Sequence, residues 1–534
     1  MQKLIRVILA LFSVFSVLVA SGPGLALRRL KNLDVSPVEY PRAAVTANRL
    51  LLTDYPVGDD ALTVASLQGV LANASGTQIL IRDGAYEKYL PYTNAETVET
   101  RPDGSRWDAA SLLRDYGSFA RGYVLCDGAG AGAAVTVAGV LQAVIVAGDM
   151  ERTAIEAGLK KLEDVRGWTD ARLRLSPYFR EVNKKIAVEQ PVSLAPKLVD
   201  LAVMAGAYFG YSDASDVKKH ERTFGFLKDN AVIFGWNPAL GEYDTVASLS
   251  EMNICLIPAD HGSNYSTLSG FGAAAPRQKT VAPSGAPARA RTVCLVMTDG
   301  DNLQWMTTQF TDAAHYGSPL RGAVPLGWGV PASLPSVAAP MAAYLYDGMT
   351  ENDEFITQIS GLGYTFPSAW TNKTAFEVMA NQLAEQMAKA DTRIAAVLDD
   401  GGFGSGALDT LLGQPGIDAL FYFDYADYAG CGGAVRTVNG KPIVSARYKL
   451  WAGIDGGSPE EIAAAVNASS DDPSSLDSYA LIAVHAWSGL DGNGAFAPYG
   501  DTMAAVKRLA DAFGPDVRIV TPGAFAALVA RAAA

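Results

Sequence analysis

Read along its length, the chain alternates short apolar runs with longer stretches of helical period. In the first half, "RLLLTD" predicts a strand, "DALTVASLQGVLANAS" a helix and "QILIRD" a second strand. "GYVLCD" predicts another strand and is followed by the apolar run "AAVTVAGVLQAVIVAG". A more helical stretch runs from about Ser193 to Gly210, before "NAVIFGWNP" and "NICLIPADHGSNYS" return to strands with polar ends. Strand–helix alternation of this kind predicts layered α/β structure. No GxGxxG follows the first strand, which leaves a dinucleotide site without support.

The second half carries eight strand-like runs: "TVCLVMTD", "VPLGWGVP", "EFITQISGLGY", "IAAVLDD", "ALFYFD", "PIVSARYKL", "YALIAVHAW" and "DVRIVTP". Helical segments such as "TAFEVMANQLAEQMAKA" and "DTMAAVKRLADAF" separate most of them. This predicts a C-terminal (β/α) TIM-like barrel. The stretch "YADYAGCGGAVRTVNGK" has no good helix, so the barrel is expected to be irregular or seven-stranded. Between the halves lies "GAAAPRQKTVAPSGAPARA", without hydrophobic period. The expected organisation is a signal peptide over 1–26, an N-terminal α/β region over 27–271, a linker over 272–290 and the barrel domain over 291–534.

The leader reading rests on Lys3 and Arg6 followed by an apolar run from Val7 to about Ala20 and then small residues. It predicts an exported protein, periplasmic, extracellular or at the cell surface, with no other membrane span. The chain has 534 residues, 49% apolar and 19% charged, with a net charge of −13. This composition fits a packed multidomain protein, and its acidity argues against a nucleic-acid partner. The four cysteines, Cys126, Cys255, Cys294 and Cys431, show no CxxC spacing. Buried free thiols are expected, with one disulfide open as the alternative.

In a parallel β/α barrel the chemistry sits at the C-terminal strand ends. Those ends carry Asp299 and Asp301, Trp328, Tyr364, Asp399 and Asp400, Asp424, and His485 with Trp487. Paired carboxyl groups beside flat aromatic rings suit sugar chemistry. One carboxyl acts as acid and the other as base or nucleophile, while rings pack on the C–H face of a pyranose. Asp301 with Asp399 or Asp400 is the expected catalytic pair, tuned by Asp299 and Asp424. Asn302, Tyr364 and His485 would position the sugar, with Trp328 and Trp487 as ring platforms, and Trp305 would begin an aromatic wall. The loop "PADHGSNYS", Pro258 to Ser266, is expected to line the cleft at the domain junction, with Asn264 as its substrate-binding residue. Each residue also has a bland reading, as a turn, a helix cap or packing. No cofactor and no metal is expected.

At "GLGYTFPSAW", Gly361 to Trp370, the sequence resembles the GxGYxYP family of glycoside hydrolases. Gly361, Gly363, Tyr364 and Pro367 match its naming motif, and Phe366 stands where the family usually has tyrosine. Asp299-Gly300-Asp301-Asn302, the "DEFI" from Asp353 to Ile356, "SLQGVLAN" and "GYVLCD" are also similar to the family. The resemblance implies an N-terminal α/β region, a barrel-like C-terminal domain and a carbohydrate-active cleft. Two alternatives remain open. One is a metal-dependent polysaccharide deacetylase, for which the four histidines lack an HxxxH spacing. The other is a non-catalytic envelope glycan-binding protein, with a calcium site at the two aspartates as a minor variant.

Overall fold

The computed structural model describes residues 35–194, 196–212, 215–272, 275–279, 289–298, 303–451, 457–488 and 500–534. The leader segment and the expected site residues Asp299, Asp301 and Asn302 lie outside the described residues.

The N-terminal region builds three small sheets in succession. The first is β1 (Arg49–Thr53), β2 (Thr77–Ile81) and β3 (Glu96–Val98), in the order β2-β1-β3. The second is β4 (Tyr123–Cys126), β5 (Val144–Ala147) and β6 (Lys161–Asp164), in the order β5-β4-β6. The third is β7 (Ile186–Gln190), β8 (Tyr208–Tyr211), β9 (Ala231–Gly235) and β10 (Ile254–Ile257), in the order β10-β9-β7-β8. Every pairing in them is parallel. β5, β7, β9 and β10 are buried along their whole length, as parallel strands covered on both faces should be. The stretch 193–210 is less helical than its composition suggests. Only Val199–Ala205 is an α-helix, and β8 begins at Tyr208.

The C-terminal region curls one large sheet. In order of pairing it runs β16 (Val435–Val438), β17 (Lys441–Ser445), β15 (Ala419–Asp424), β14 (Ile394–Asp399), β13 (Asp353–Gln358), β12 (Leu326–Pro331), β11 (Arg291–Met297), β19 (Tyr479–Val484) and β18 (Tyr448–Leu450). All eight expected runs form strands, but not a regular eightfold repeat. "PIVSARYKL" kinks into two strands. β17 pairs with β15 at one end of the sheet, and β18 pairs with β19 at the other. The last run, β20 (Val517–Ile519), pairs only with the start of β11, whose far end pairs with β12. The segment without a helix holds the antiparallel hairpin β16–β17 instead.

The halves are sewn together through backbone groups. Tyr364 and Leu256 exchange both N–H···O bonds, at 2.6 and 3.0 Å, which lays the motif loop alongside β10. A Cβ on Gly363 would lie 2.5 Å from the Leu256 carbonyl oxygen, so only glycine allows this approach. The Ser250 hydroxyl accepts from the Phe366 N–H and shares a 2.8 Å hydrogen bond with Thr365. At the other end of the loop, the Asn253 side chain accepts from the N–H groups of Thr371 and Asn372. The extended segment before β1 is held as well. Gln382 exchanges two hydrogen bonds with the backbone of Val38, and the Tyr40 hydroxyl donates to the Leu362 carbonyl. In the linker, Gln278 pairs in both directions with the backbone of Phe355. All four cysteines are free thiols, and burial pushes those of Cys126 and Cys255 up to about 12.

The junction makes a stability prediction. Gly363→Ala forces a methyl group against the Leu256 carbonyl and should cost about 1–3 kcal/mol in urea unfolding, the usual penalty of overpacking. Gly404→Ala meets nothing within 4 Å and should leave the midpoint nearly unchanged.

Candidate functional site

Two carboxyl-terminal sheet edges face one another at the junction. From the third N-terminal sheet, Trp236 follows β9 and Pro258 follows β10. From the curled sheet, Thr298 follows β11, Gln358 ends β13, and Leu398 and Phe423 lie near the ends of β14 and β15. Between them lies a cavity of about 440 Å³ walled by Trp236, Trp305, Trp487 and Tyr364, with Glu242, His261, Gln304, Thr308 and Gln309 as its polar members. A smaller hollow of about 30 Å³, lined by Thr298, Gln358, Leu398, Phe423 and Tyr428, shares Glu242 and Tyr364 with it. Crevices at the carboxyl ends of parallel strands are the usual place for ligands in α/β folds.

Glu242 opens the helix Glu242–Glu251, immediately after Gly241 at φ +87°. A carboxylate is favoured in a first helical turn by the exposed N–H groups there. The Tyr364 hydroxyl donates to Glu242 Oε1 at 2.7 Å. The motif tyrosine from one half of the chain therefore fixes an acid from the other. The indole wall is braced from behind. Trp305 and Trp487 meet at 6.0 Å, and His315 lies 5.1 and 5.6 Å from them. That imidazole is held by Asp312 Oδ1 and the Ala486 carbonyl, both at 2.8 Å. Beside His261 on the cavity wall, Asp260 is buried, and that burial raises its carboxyl above the usual range.

Three family models match the chain in sequence. The "GxGYxYP putative glycoside hydrolase C-terminal domain" covers residues 290–530, the "GxGYxYP third domain" 183–270 and the "GxGYxYP_N second domain" 120–179. The chain belongs to the GxGYxYP family. A crystal structure described as a "putative hydrolase from Bacteroides thetaiotaomicron VPI-5482" is similar over 93% of this chain and 98% of its own, with a TM-score of 0.80 and 23% identity. At that identity the likeness establishes the shared mixed α/β fold. No curated protein matches the chain.

The GxGYxYP motif has a clear physical job here. Its second glycine permits the backbone bridge to β10, and its tyrosine reaches the cavity. Phe366, at the family's usual tyrosine position, is 1% exposed and packs on Tyr364, Tyr243 and Tyr425. The ring is a footing inside the junction, and the missing hydroxyl removes no contact from the cavity wall.

The other expected site residues divide sharply. Tyr364 and Trp487 line the cavity. Trp328 does not. It is fully buried behind the sheet, packed on Phe310 and Tyr316, with its indole N–H donating to Asp353 at 2.8 Å. Asn264 is also a core residue. Its side chain exchanges hydrogen bonds with the backbone of Ile81 and accepts one from Gln68, tying the loop after β10 to β2. His485 lies under the sheet mouth, its ring stacked flat on Trp451 at 3.5 Å, and burial drives its pKa down to about 3. Its Nδ1 accepts from the Trp487 N–H, so the neutral imidazole positions the chain beside the cavity.

The remaining carboxyl groups turn away. Leu398 and Phe423 line the small hollow, so the alternation of strand side chains sends Asp399 and Asp424 to the opposite face. Asp399 accepts from the Ser368 hydroxyl at 2.8 Å and from the N–H groups of Ser368 and Asp400. It is an anchor for the end of the motif loop. Asp424 accepts from the Gly401 and Ala426 N–H groups and the Tyr422 hydroxyl. Asp400 is exposed and takes the Tyr243 hydroxyl at 2.6 Å.

Sequence reasoning missed Glu242 and Trp236, while the loop it expected on the cleft reaches the wall through Pro258 and His261. Glu242 reads as an ordinary first-turn acid, and its only distinguishing signal is a contact 122 residues away. One chemically familiar grouping is not a site. His220 lies between Ser248 (3.2 Å) and Glu189 (2.9 Å), but all three are buried and none lines either hollow.

Burial lifts the Asp399 carboxyl from 3.8 to about 6. Its proton therefore stabilises the fold fully below about pH 4, and that benefit is lost as pH rises through 6. Relative to Asp399→Asn, the wild type should lose up to about 3 kcal/mol between pH 4 and pH 7. Urea unfolding of both proteins across that range measures the difference.

Proposed function

We propose that the protein is an exported glycoside hydrolase whose active site is the cavity between the third N-terminal sheet and the mouth of the curled sheet. The observation that carries this reading is the Glu242 carboxylate, held by the motif Tyr364 on the wall shared by both hollows and facing three indole side chains. Flat rings bind the apolar faces of sugars, and a fixed carboxylate can act at the anomeric carbon or on a water beside it. Family membership and the hydrolase neighbour support the class.

Hydrolysis needs a second carboxyl group, to give a proton to the departing glycosidic oxygen. Asp301 and Asp299 are the proposed source. Thr298 on one side of their segment lines the small hollow, and Gln304 and Trp305 on the other line the cavity. Asp399, Asp400 and Asp424 leave the catalytic assignment, because none of them lines either hollow.

Among the described residues lining the two hollows there is no Lys or Arg, and the one acidic side chain is Glu242. Such a wall disfavours uronic acids and sulfated sugars by like-charge repulsion. The substrate class proposed is a neutral oligo- or polysaccharide.

A hydrolysis screen on neutral and anionic glycans tests this. Wild type should release product from a neutral glycan, while Glu242→Gln and Asp301→Asn should each lose about 10²–10⁴-fold in kcat. Full activity in Glu242→Gln would remove the central residue of the proposal.

A further inference from the structure

Outside the cavity, the same junction carries a second group of rings. Tyr243 follows Glu242 on its helix and keeps 43% of its surface exposed, a level that Tyr55 and Phe119 share among the described aromatic residues. Its ring lies 5.7 Å from Phe366 and 5.3 Å from Tyr425, and Phe366 and Tyr425 meet at 5.3 Å. Phe366 is the buried footing, while Tyr243 and the half-buried Tyr425 form the outer surface. The group is continuous with the cavity wall. Phe366 packs edge-on against Tyr364 at 5.9 Å, and the Tyr425 hydroxyl is close enough to Glu242 to feel its charge. At the outer end, Tyr243 donates its hydroxyl to Asp400, which places a polar edge beside an aromatic surface.

We infer that this shelf is an outer sugar subsite, and that the ligand is a linear neutral glycan long enough to leave the cavity and cross Tyr243 and Tyr425. The inference rests on the glycan reading of the cavity and extends it to chain length. Three features support it. Exposed aromatic surface has a cost in water that contact with a sugar face relieves. The rings are presented by three separate segments, the start of the Glu242–Glu251 helix, the motif loop and the turn after β15, so the surface is held in place without a ligand. The charged groups around it, Glu242, Asp244 and Asp400, are acidic, which matches hydroxyl-rich uncharged sugars and opposes anionic ones. Asp400, expected from its strand end to be catalytic, becomes a hydroxyl-binding group on this rim.

Calorimetric titration with ladders of two to six residues of β-1,4-linked glucose, xylose, mannose and N-acetylglucosamine, and of α-1,4-linked glucose, tests the subsite. Wild-type affinity should rise with length beyond the disaccharide. Tyr243→Ala should cost about tenfold for the longest member and less than twofold for the disaccharide. Tyr243→Phe, which keeps the ring and loses the bond to Asp400, should retain most of the length dependence. Equal losses at every length would make Tyr243 a structural strut and overturn the shelf alone, as would wild-type affinity in Tyr243→Ala. Failure of every ladder to bind the wild type would overturn both the shelf and the glycan reading beneath it. Unfolding midpoints confirm that each variant is folded.

Discussion

The site depends on one antiparallel pair of backbone hydrogen bonds, between Leu256 at the end of β10 and Tyr364 in the motif loop. Two backbones can come this close only because Gly363 has no side chain. The bridge fixes the loop at the peptide level, where geometry is least adjustable. The Tyr364 side chain then has a defined origin from which to reach Glu242. Ser250, Asn253 and Asp399 hold the rest of the loop through further hydrogen bonds. The motif is thus explained by a contact between two parts of the fold, with one side chain carried into the cavity as a consequence.

The same logic explains why acids at strand ends do not make the site. A residue at the end of a strand can face either side of the sheet, and its parity is set by register. In β14 and β15 the hydrophobic residues Leu398 and Phe423 take the inner positions, so Asp399 and Asp424 are turned outward. Asp399 is then buried against the motif loop, where three donors offset part of its desolvation and its pKa still rises. The acid that does face the cavity comes from a helix start in a different sheet unit.

Aromatic residues follow a similar division. Trp328 and Phe366 are spent on packing, Trp236 and Trp487 are carried to the cavity by loops that leave strand ends, and Trp305 by the short helix Leu303–Thr307. Loops at the carboxyl edge can present large rings to solvent because the rigid sheets behind them supply the stability. Two of the four histidines behave as supports. His315 and His485 are buried beside the indoles and hold neighbouring groups through hydrogen bonds or stacking.

By itself the sequence determined the local elements and their order. Apolar runs long enough to be buried on both faces became parallel strands, and amphipathic stretches between them became helices, because these are short-range consequences of hydrophobic period. The motif glycines and tyrosine were also legible, but only through their resemblance to the GxGYxYP family; the close backbone approach that needs Gly363 appears only in the fold. The tertiary structure decided the rest. It split "PIVSARYKL" between two ends of one sheet, set the inward or outward face of each strand-end acid, and brought Glu242 to Tyr364 across 122 residues. Register, curl and the meeting of distant segments are collective outcomes of packing, and no local pattern in the chain encodes them.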